Sequence, residues 1–378
     1  MGGTAAGGGG RHGAVSGDTP LGRRLARLIA ETGPITVADY MAHCLGDPEH
    51  GYYLAREPFG PSGDFVTAPE ISQMFGELVG AWIAEAWNAA GRPAAVRLVE
   101  LGPGRGTLAS DLLRTLRLVP DLVAAATLHL VETSPRLRRL QAETRSAAPV
   151  ATHWHDRLDT VPAGFTLAVA NEFFDALPVR QFVRTDTAWQ ERVVGLDADG
   201  RLAFGLGPGA LAACELPPRL REAAAGSILE VSPASIAVMQ TLAGRIGRDG
   251  GVALVIDYGH AETGLGETLQ AVARHAYADP LEAPGEADLT AHVDFSALAR
   301  AARSGGAAAH GPVGQGAFLS ALGLAQRAER LSRDADAATR AAISAAAERL
   351  AAPTQMGTLF KVLAVTPRGV TPPPPFAV

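Results

Sequence analysis

The stretch VRLVELGPGRGTLASDLLR, from Val96 to Arg114, constrains the fold of this 378-residue chain more than any other. Val96, Leu98, Val99 and Leu101 form a short apolar run bounded by glycine and proline, which predicts a buried strand of a parallel sheet. Leu108, Leu112, Leu113 and Leu116 then recur at helical spacing, so the residues between make a tight strand-to-helix turn. Gly102, Gly104 and Gly106 let backbone approach a ligand where any Cβ would collide, and the helix start beyond them offers unpaired N–H groups. A dinucleotide fingerprint would need a third glycine where Thr107 stands, and a phosphate loop would need a lysine after the glycines. The chain has neither.

What remains is acidic-x-Gly-x-Gly-x-Gly beginning at Glu100, the pattern of class I S-adenosyl-L-methionine methyltransferases. There the loop wraps the amino-acid end of the cofactor, and a carboxylate near Glu100 faces its ammonium group. A second acidic position supports this reading. Leu128, Leu130 and Val131 predict another buried strand, and Glu132 at its tip can accept both ribose hydroxyl hydrogens. Glu132 also fits a plain helix-start position before Ser134 and Pro135. Further on, His155, Asp156 and Arg157 sit where such a fold meets adenine, although a simple polar loop reads the same way.

Taken in order, the chain opens on a Gly-rich stretch, residues 1–20, that predicts disorder and lacks the apolar segment of a secretory signal. Residues 21–92 predict a helical extension. It includes an irregular, aromatic-bearing loop in which Tyr52, Tyr53, Asp64, Phe65 and Glu70 are candidates for a lid over an active site. Thr67 and Glu70 have capping-box spacing. Alternating strand and helix patterns over 93–365 predict a doubly wound α/β sheet. Antiparallel insertions are expected at about 182–250, with a hairpin at Asp199-Gly200; a loop is expected at 261–290, and helices at about 314–352. The Pro-rich end, 366–378, predicts a solvated tail.

Hydrophobic content of 47%, a net charge of −6 and no long apolar run describe a globular chain without a membrane span or a non-specific nucleic-acid surface. Two cysteines supply neither a disulfide framework nor a zinc site. His292, Asp288 and Asp294 look at first like metal ligands. Asp294 is better read as a helix N-cap, and no metal is expected.

Because ligands in doubly wound sheets sit at the carboxyl ends of strands, the topology should gather Gly102 to Gly106, Glu132, Asp156, Asn171, Glu172 and Asp257 on one edge. ANEFFDALPVRQF, from Ala170 to Phe182, is the candidate acceptor-binding stretch. Neither the Asp/Asn-Pro-Pro-aromatic signature of DNA-adenine methylases nor the cysteine of RNA cytosine methylases is present there. Glu172 and Asp175 are a carboxylate pair suited to a guanidinium, which needs bidentate fixing and a proton acceptor. The same two residues could merely cap the next helix. His260, after Asp257-Tyr258-Gly259, is a candidate base or orienting group.

Several blocks together resemble the MidA-like family, which includes the mitochondrial complex I assembly-factor arginine methyltransferases. They are GDFVTAPEISQMFGELVGAW, LVELGPGRGTLASDLLR, HLVETSP, ANEFFDALPVRQF, LVIDYGH, ADLTAHVDF, GQGAFLSALG and MGTLFKVLA. The resemblance covers Leu21 to Val365 in family order. It implies a class I methyltransferase fold, S-adenosyl-L-methionine as cofactor, and a protein substrate; for eukaryotic members it implies symmetric dimethylation of an arginine on a complex I subunit. On this chain Gly102, Gly104, Gly106 and Glu132 match the cofactor motifs. Asn171, Glu172 and Asp175 match the block after the fourth strand, and the Asp64 and Glu70 region matches a cover on the same pocket. A single lysine, Lys361, and no clear mitochondrial presequence fit a bacterial, cytoplasmic member. A small-molecule methyltransferase and a cofactor-binding assembly chaperone with little turnover are the alternatives.

Overall fold

The computed structural model describes residues 18–55, 66–145, 150–212, 216, 218–273 and 276–376. Seven apolar runs become strands of one sheet, here called the first to seventh core strands: Val96–Leu101, Ala126–Val131, Thr152–His155, Thr166–Asn171, Gly251–His260, Ala307–Gly314 and Phe360–Pro367. Their spatial order is sixth, seventh, fifth, fourth, first, second, third, with the short Val293–Asp294 strand beside the fifth. The first five run parallel to one another, and the seventh lies antiparallel between the fifth and sixth. The chain steps outward from the first strand to the third, then returns to the fourth on the other side of the first. That reversal opens a crevice at the carboxyl ends of the first and fourth strands.

Strand periodicity divides the core between two faces. Leu98, Leu128, Leu167 and Leu254 point to one side and pack against Met74, Val79 and Trp82 of the Gln73–Ala89 helix and Leu112 of the Thr107–Leu116 helix. Val99, Leu101, Ala168 and Val255 point to the other, against Leu242 of the Pro233–Asp249 helix and Leu298 of the Phe295–Ser304 helix. Small residues such as Ala168 and Ala170 let those helices approach closely.

A third cluster forms a roof over the crevice. Leu21, Leu25 and Ile29 of the Pro20–Thr32 helix and Tyr40 and Met41 of the Val37–Gly46 helix pack on Val194, Leu202 and Leu289 from later in the chain. Ile35–Thr36 pairs antiparallel with the Trp189–Leu196 strand, so the N-terminal extension adds an edge to the inserted sheet. The hairpin at Asp199-Gly200 is present, closed by Asp197 N–H donating to the Arg201 carbonyl at 2.8 Å.

Three expectations are corrected. The 261–290 segment is not a plain loop: Gln270–Ala273 pairs with Ala276–Ala278 and with Asp288–Thr290 in a small sheet. These strands are too short to carry a legible alternation. The Pro-rich end is not a solvated tail, because Phe376 is buried against Trp82 and Phe318, and Trp82 Nε1 donates to the Pro374 carbonyl at 3.0 Å. Finally, Thr67 sits at the start of a single helical turn, Ala68–Ile71, but its side chain makes no capping bond. Extended backbone at Ser72 ends that turn, and the Ser72 hydroxyl accepts from Met74 N–H at 3.2 Å to begin the longer helix.

Candidate active site

At the end of the first core strand the backbone turns left-handed three times, at Gly102 (φ 65°), Gly104 (φ 53°) and Gly106 (φ 81°). A Cβ on Gly102 would lie 2.8 Å from Cδ2 of Phe173, so glycine there lets the fourth-strand loop close against the first. Gly106 occupies the cap position of the Thr107–Leu116 helix with no side chain to satisfy the first N–H groups. A small cavity of about 40 Å³ opens beside them, lined by Glu70, Glu100, Arg105, Thr107, Asn171 and Glu172. Within it the Thr107 hydroxyl donates to Glu70, and Asn171 Oδ1 is buried with no hydrogen-bond partner among the described residues. An orphaned buried acceptor of this kind calls for a donor from a ligand.

A larger cavity of about 660 Å³ continues from Gly102 and Gly104 past Glu132 to Asp156 and Leu158, with Tyr53, Phe173 and Pro178 on its opposite wall. Glu132 is buried at the tip of the second strand. Its Oε1 accepts Ser134 N–H at 2.8 Å, and Gln141 Nε2, 3.5 Å from Oε2, donates also to the Gly104 carbonyl at 2.6 Å. Burial raises the pKa of this carboxyl, offset in part by those donors. Asp156 lies at the rim, paired with Arg138 at 2.6 Å.

Glu172 stands where the two cavities meet. Its N–H still continues the sheet ladder to the Ile256 carbonyl at 2.9 Å, and its own backbone then adopts φ 49°. Among the described residues only Arg92 is another non-glycine with positive φ. Such backbone costs on the order of 1 kcal/mol and persists where surrounding contacts enforce it. Those contacts are visible. Glu172 Oε1 accepts Ala68 N–H at 2.9 Å and Asn171 Nδ2 at 3.1 Å, which leaves Oε2 without a protein donor among the described residues. Removal from water pushes the Glu172 carboxyl up to about 7.

Asp257, fully buried within the fifth strand, accepts through Oδ2 the N–H groups of Phe173, Phe174 and Asp175 at 3.2, 3.0 and 3.2 Å. Its Oδ1 accepts Tyr258 N–H at 2.9 Å. Both oxygens are therefore committed to backbone. Asp257 does not reach substrate as the sequence suggested; it clamps the loop that carries Glu172. Asp175 lies beside the Tyr258 hydroxyl, its Oδ1 buried without a hydrogen-bond partner among the described residues, and burial raises it to about 6. Burial and the neighbouring carboxylates of Asp175 and Glu172 raise Asp257 well above the usual range.

Comparison with known proteins decides the chemistry. Residues 78–313 match the family model described as "Putative S-adenosyl-L-methionine-dependent methyltransferase". A Drosophila melanogaster protein named "Protein arginine methyltransferase NDUFAF7 homolog, mitochondrial" is 41% identical over 94% of this chain and 86% of its own length. The Homo sapiens "Protein arginine methyltransferase NDUFAF7, mitochondrial" is 38% identical over 92% and 84%. A Burkholderia thailandensis structure with S-adenosyl-homocysteine bound superposes with a TM-score of 0.81 at 31% identity, covering 93% of this chain and 92% of that one. The chain belongs to this S-adenosyl-L-methionine-dependent methyltransferase family.

The methyltransferase fold and its cofactor fit what the residues present. The orphaned Asn171 acceptor and the acidic Glu100 suit an ammonium, the glycine loop leaves room that side chains would fill, and Glu132 offers carboxylate oxygens to a diol. When bound, S-adenosyl-L-methionine supplies a methyl group already activated on a sulfonium.

Other candidates sit elsewhere. Tyr52 is wholly buried in the roof cluster and is core, not lid. Tyr53 does line the larger cavity, and its hydroxyl donates to Asp288 at 2.9 Å. Asp288 is thereby a partner of Tyr53, and Asp294 caps its helix by accepting Ala297 N–H at 2.9 Å. His260 lines neither of these cavities; its ring lies 5.0 Å from that of His292, beyond the end of the sheet crevice. The extra residues of the fifth strand carry it past the site. Asp64 and Phe65 lie outside the described residues. Phe173, Tyr258 and the Ala68 N–H were missed, because their roles depend on contacts between segments about 80 to 100 residues apart rather than on a local pattern.

Proposed function

We propose that the chain transfers methyl groups to arginine side chains of a protein, and that its target is a subunit of respiratory complex I, as the family resemblance implies. The observation that carries the reading is Glu172, a carboxylate with one oxygen anchored and the other free at the junction of the two cavities. In this reading Glu100 and Asn171 hold the cofactor's ammonium, Thr107 and the glycine loop its amino-acid end, Glu132 its ribose and Asp156 the adenine edge.

A guanidinium offered to Glu172 would meet a carboxylate fixed in direction by Ala68 and Asn171. Asp175 adds a second negative charge behind it. As the N–C bond formed at the expense of the methyl–sulfur bond, whose electron pair would stay on sulfur, the nitrogen would release one proton, and a carboxyl near 7 is matched to take it at neutral pH. The remaining acceleration comes from holding the nitrogen in line with the methyl group. The names of the relatives support arginine as acceptor.

The experiment is incubation of the protein with tritium-labelled S-adenosyl-L-methionine and a lysate lacking it, followed by hydrolysis and resolution of methylated amino acids. Label in dimethylarginine on one complex I subunit is the expected result. Label confined to small molecules would overturn the protein-substrate reading, and label on another residue type would overturn the arginine reading.

A further inference from the structure

A separate cavity of about 310 Å³ lies between the inserted sheet and the starts of the Pro233–Asp249 and Phe295–Ser304 helices. Its body is apolar, with Phe174, Val179, Leu229, Ile236 and Leu298 around it. It shares a wall with the cofactor cavity, because the loop presents alternate residues to the two spaces. Phe173 and Pro178 line the larger cavity, while Phe174 and Val179 line this one.

The polar groups at its edge are unequal. Glu230 is engaged at both oxygens: Oε1 accepts Gln181 Nε2 at 2.8 Å and the Thr268 and Leu269 N–H groups at 3.0 and 3.1 Å, and Oε2 accepts the Thr268 hydroxyl. Asp294 is engaged likewise by the Thr263 and Ser296 hydroxyls, at 2.6 and 2.9 Å, and by Ala297 N–H. Arg300 is different. It donates only to the neutral hydroxyls of Ser296 at 2.9 Å and Thr263 at 3.3 Å, and no carboxylate lies within ion-pair distance of it among the described residues. Arg300 is thus an exposed charged donor without an ionic partner among the described residues, beside a chamber whose walls are mainly apolar, with Ser232, Ser235, Thr263 and His292 also on them.

We propose that this cavity binds a small apolar carboxylate, its hydrocarbon body among Leu229, Ile236 and Leu298 and its acid group at Arg300. A guanidinium already oriented by two hydroxyls can give a carboxylate a charge-assisted hydrogen bond, while the chamber accepts the chain without polar partners. Each carboxylate oxygen of Glu230 and Asp294 already accepts at least one hydrogen bond from the protein.

The test is isothermal titration of octanoate, with 1-octanol as the neutral control, into the full chain and two variants, each checked for fold by S-adenosylhomocysteine binding. Octanoate is expected to bind the natural chain with one-to-one stoichiometry, at least tenfold more tightly than octanol. Arg300→Met should bring octanoate down to the level of octanol. Ala297→Phe, which fills the chamber from the helix wall, should abolish both. No octanoate binding to the natural chain, or binding undiminished in Arg300→Met, would overturn the proposal; so would binding retained by a folded Ala297→Phe. If Ala297→Phe fails to bind S-adenosylhomocysteine, Arg300→Met decides. None of these outcomes depends on which molecule accepts the methyl group.

Discussion

The two ends of the catalytic crevice are built by different means. At the end we propose holds the cofactor, local backbone does the positioning: three left-handed glycines within five residues and a carboxylate at the tip of the next strand, anchored by Ser134 two residues on. At the end we propose holds the methyl acceptor, distant segments do it. Glu172 is held by Ala68, 104 residues away, and its loop by Asp257, more than 80 residues away. The first end can form as soon as strand and helix do. The second exists only when the Ala68–Ile71 turn, the fourth strand and the fifth strand are assembled together, so it can be perturbed without disturbing the first.

The largest effect expected from this contrast is on Glu172→Gln. It removes the proton acceptor and the charge but keeps an oxygen for Ala68 N–H, so methyl transfer should fall by about 10²- to 10⁴-fold. S-adenosylhomocysteine affinity, measured by calorimetry, should change little. Equal losses in both would merge the two ends into one.

Next in size is the response of the ligand-free protein to pH. Glu172 and Asp175 titrate higher folded, at about 7 and about 6, than the 4.5 and 3.8 usual for them unfolded. Each is then bound to more protons in the folded state over that interval. Their contribution to stability is complete below about pH 4 and is lost as pH rises through 6 to 7, on the order of 3 kcal/mol for each group. Denaturant midpoints between pH 5 and 8 should show this fall, and Glu172→Gln should flatten it.

The smallest effect is on Glu172→Gly, which relieves the left-handed backbone at φ 49°. The variant should gain about 1 kcal/mol in thermal unfolding while losing transfer, since glycine adopts this region without penalty. A loss of stability would mean that the two hydrogen bonds of Oε1 outweigh the strain.

This same contrast explains what was legible in the sequence. Gly102, Gly104, Gly106, Glu100 and Glu132 announce themselves within one strand-turn-helix unit and the strand that follows. The alternation of Leu98 and Val99 likewise foretells the two faces of the sheet. Asp257 was visible as a strand-end carboxylate, but whether it meets substrate or backbone depends on where the Phe173 loop lies. Thr67 and Glu70 carry a capping-box spacing that the fold does not use, because Thr107 competes successfully for Glu70. Proline content marked the C-terminal end as tail; it could not show that Phe376 finds a pocket beside Trp82.

The most direct test titrates S-adenosylhomocysteine into Gly102→Ala and Asp257→Asn side by side, with methyl transfer measured on both. In Gly102→Ala the new Cβ meets Phe173 at 2.8 Å and a left-handed φ of 65°, so affinity should fall at least tenfold, about 1.4 kcal/mol. Asp257→Asn turns one amide N–H group toward backbone donors and loosens the Glu172 loop. Its affinity should stay within about threefold of the natural chain while transfer falls at least tenfold, near the cost of one lost buried hydrogen-bond set. Loss of cofactor affinity in Asp257→Asn equal to that in Gly102→Ala would contradict the separation of the two ends.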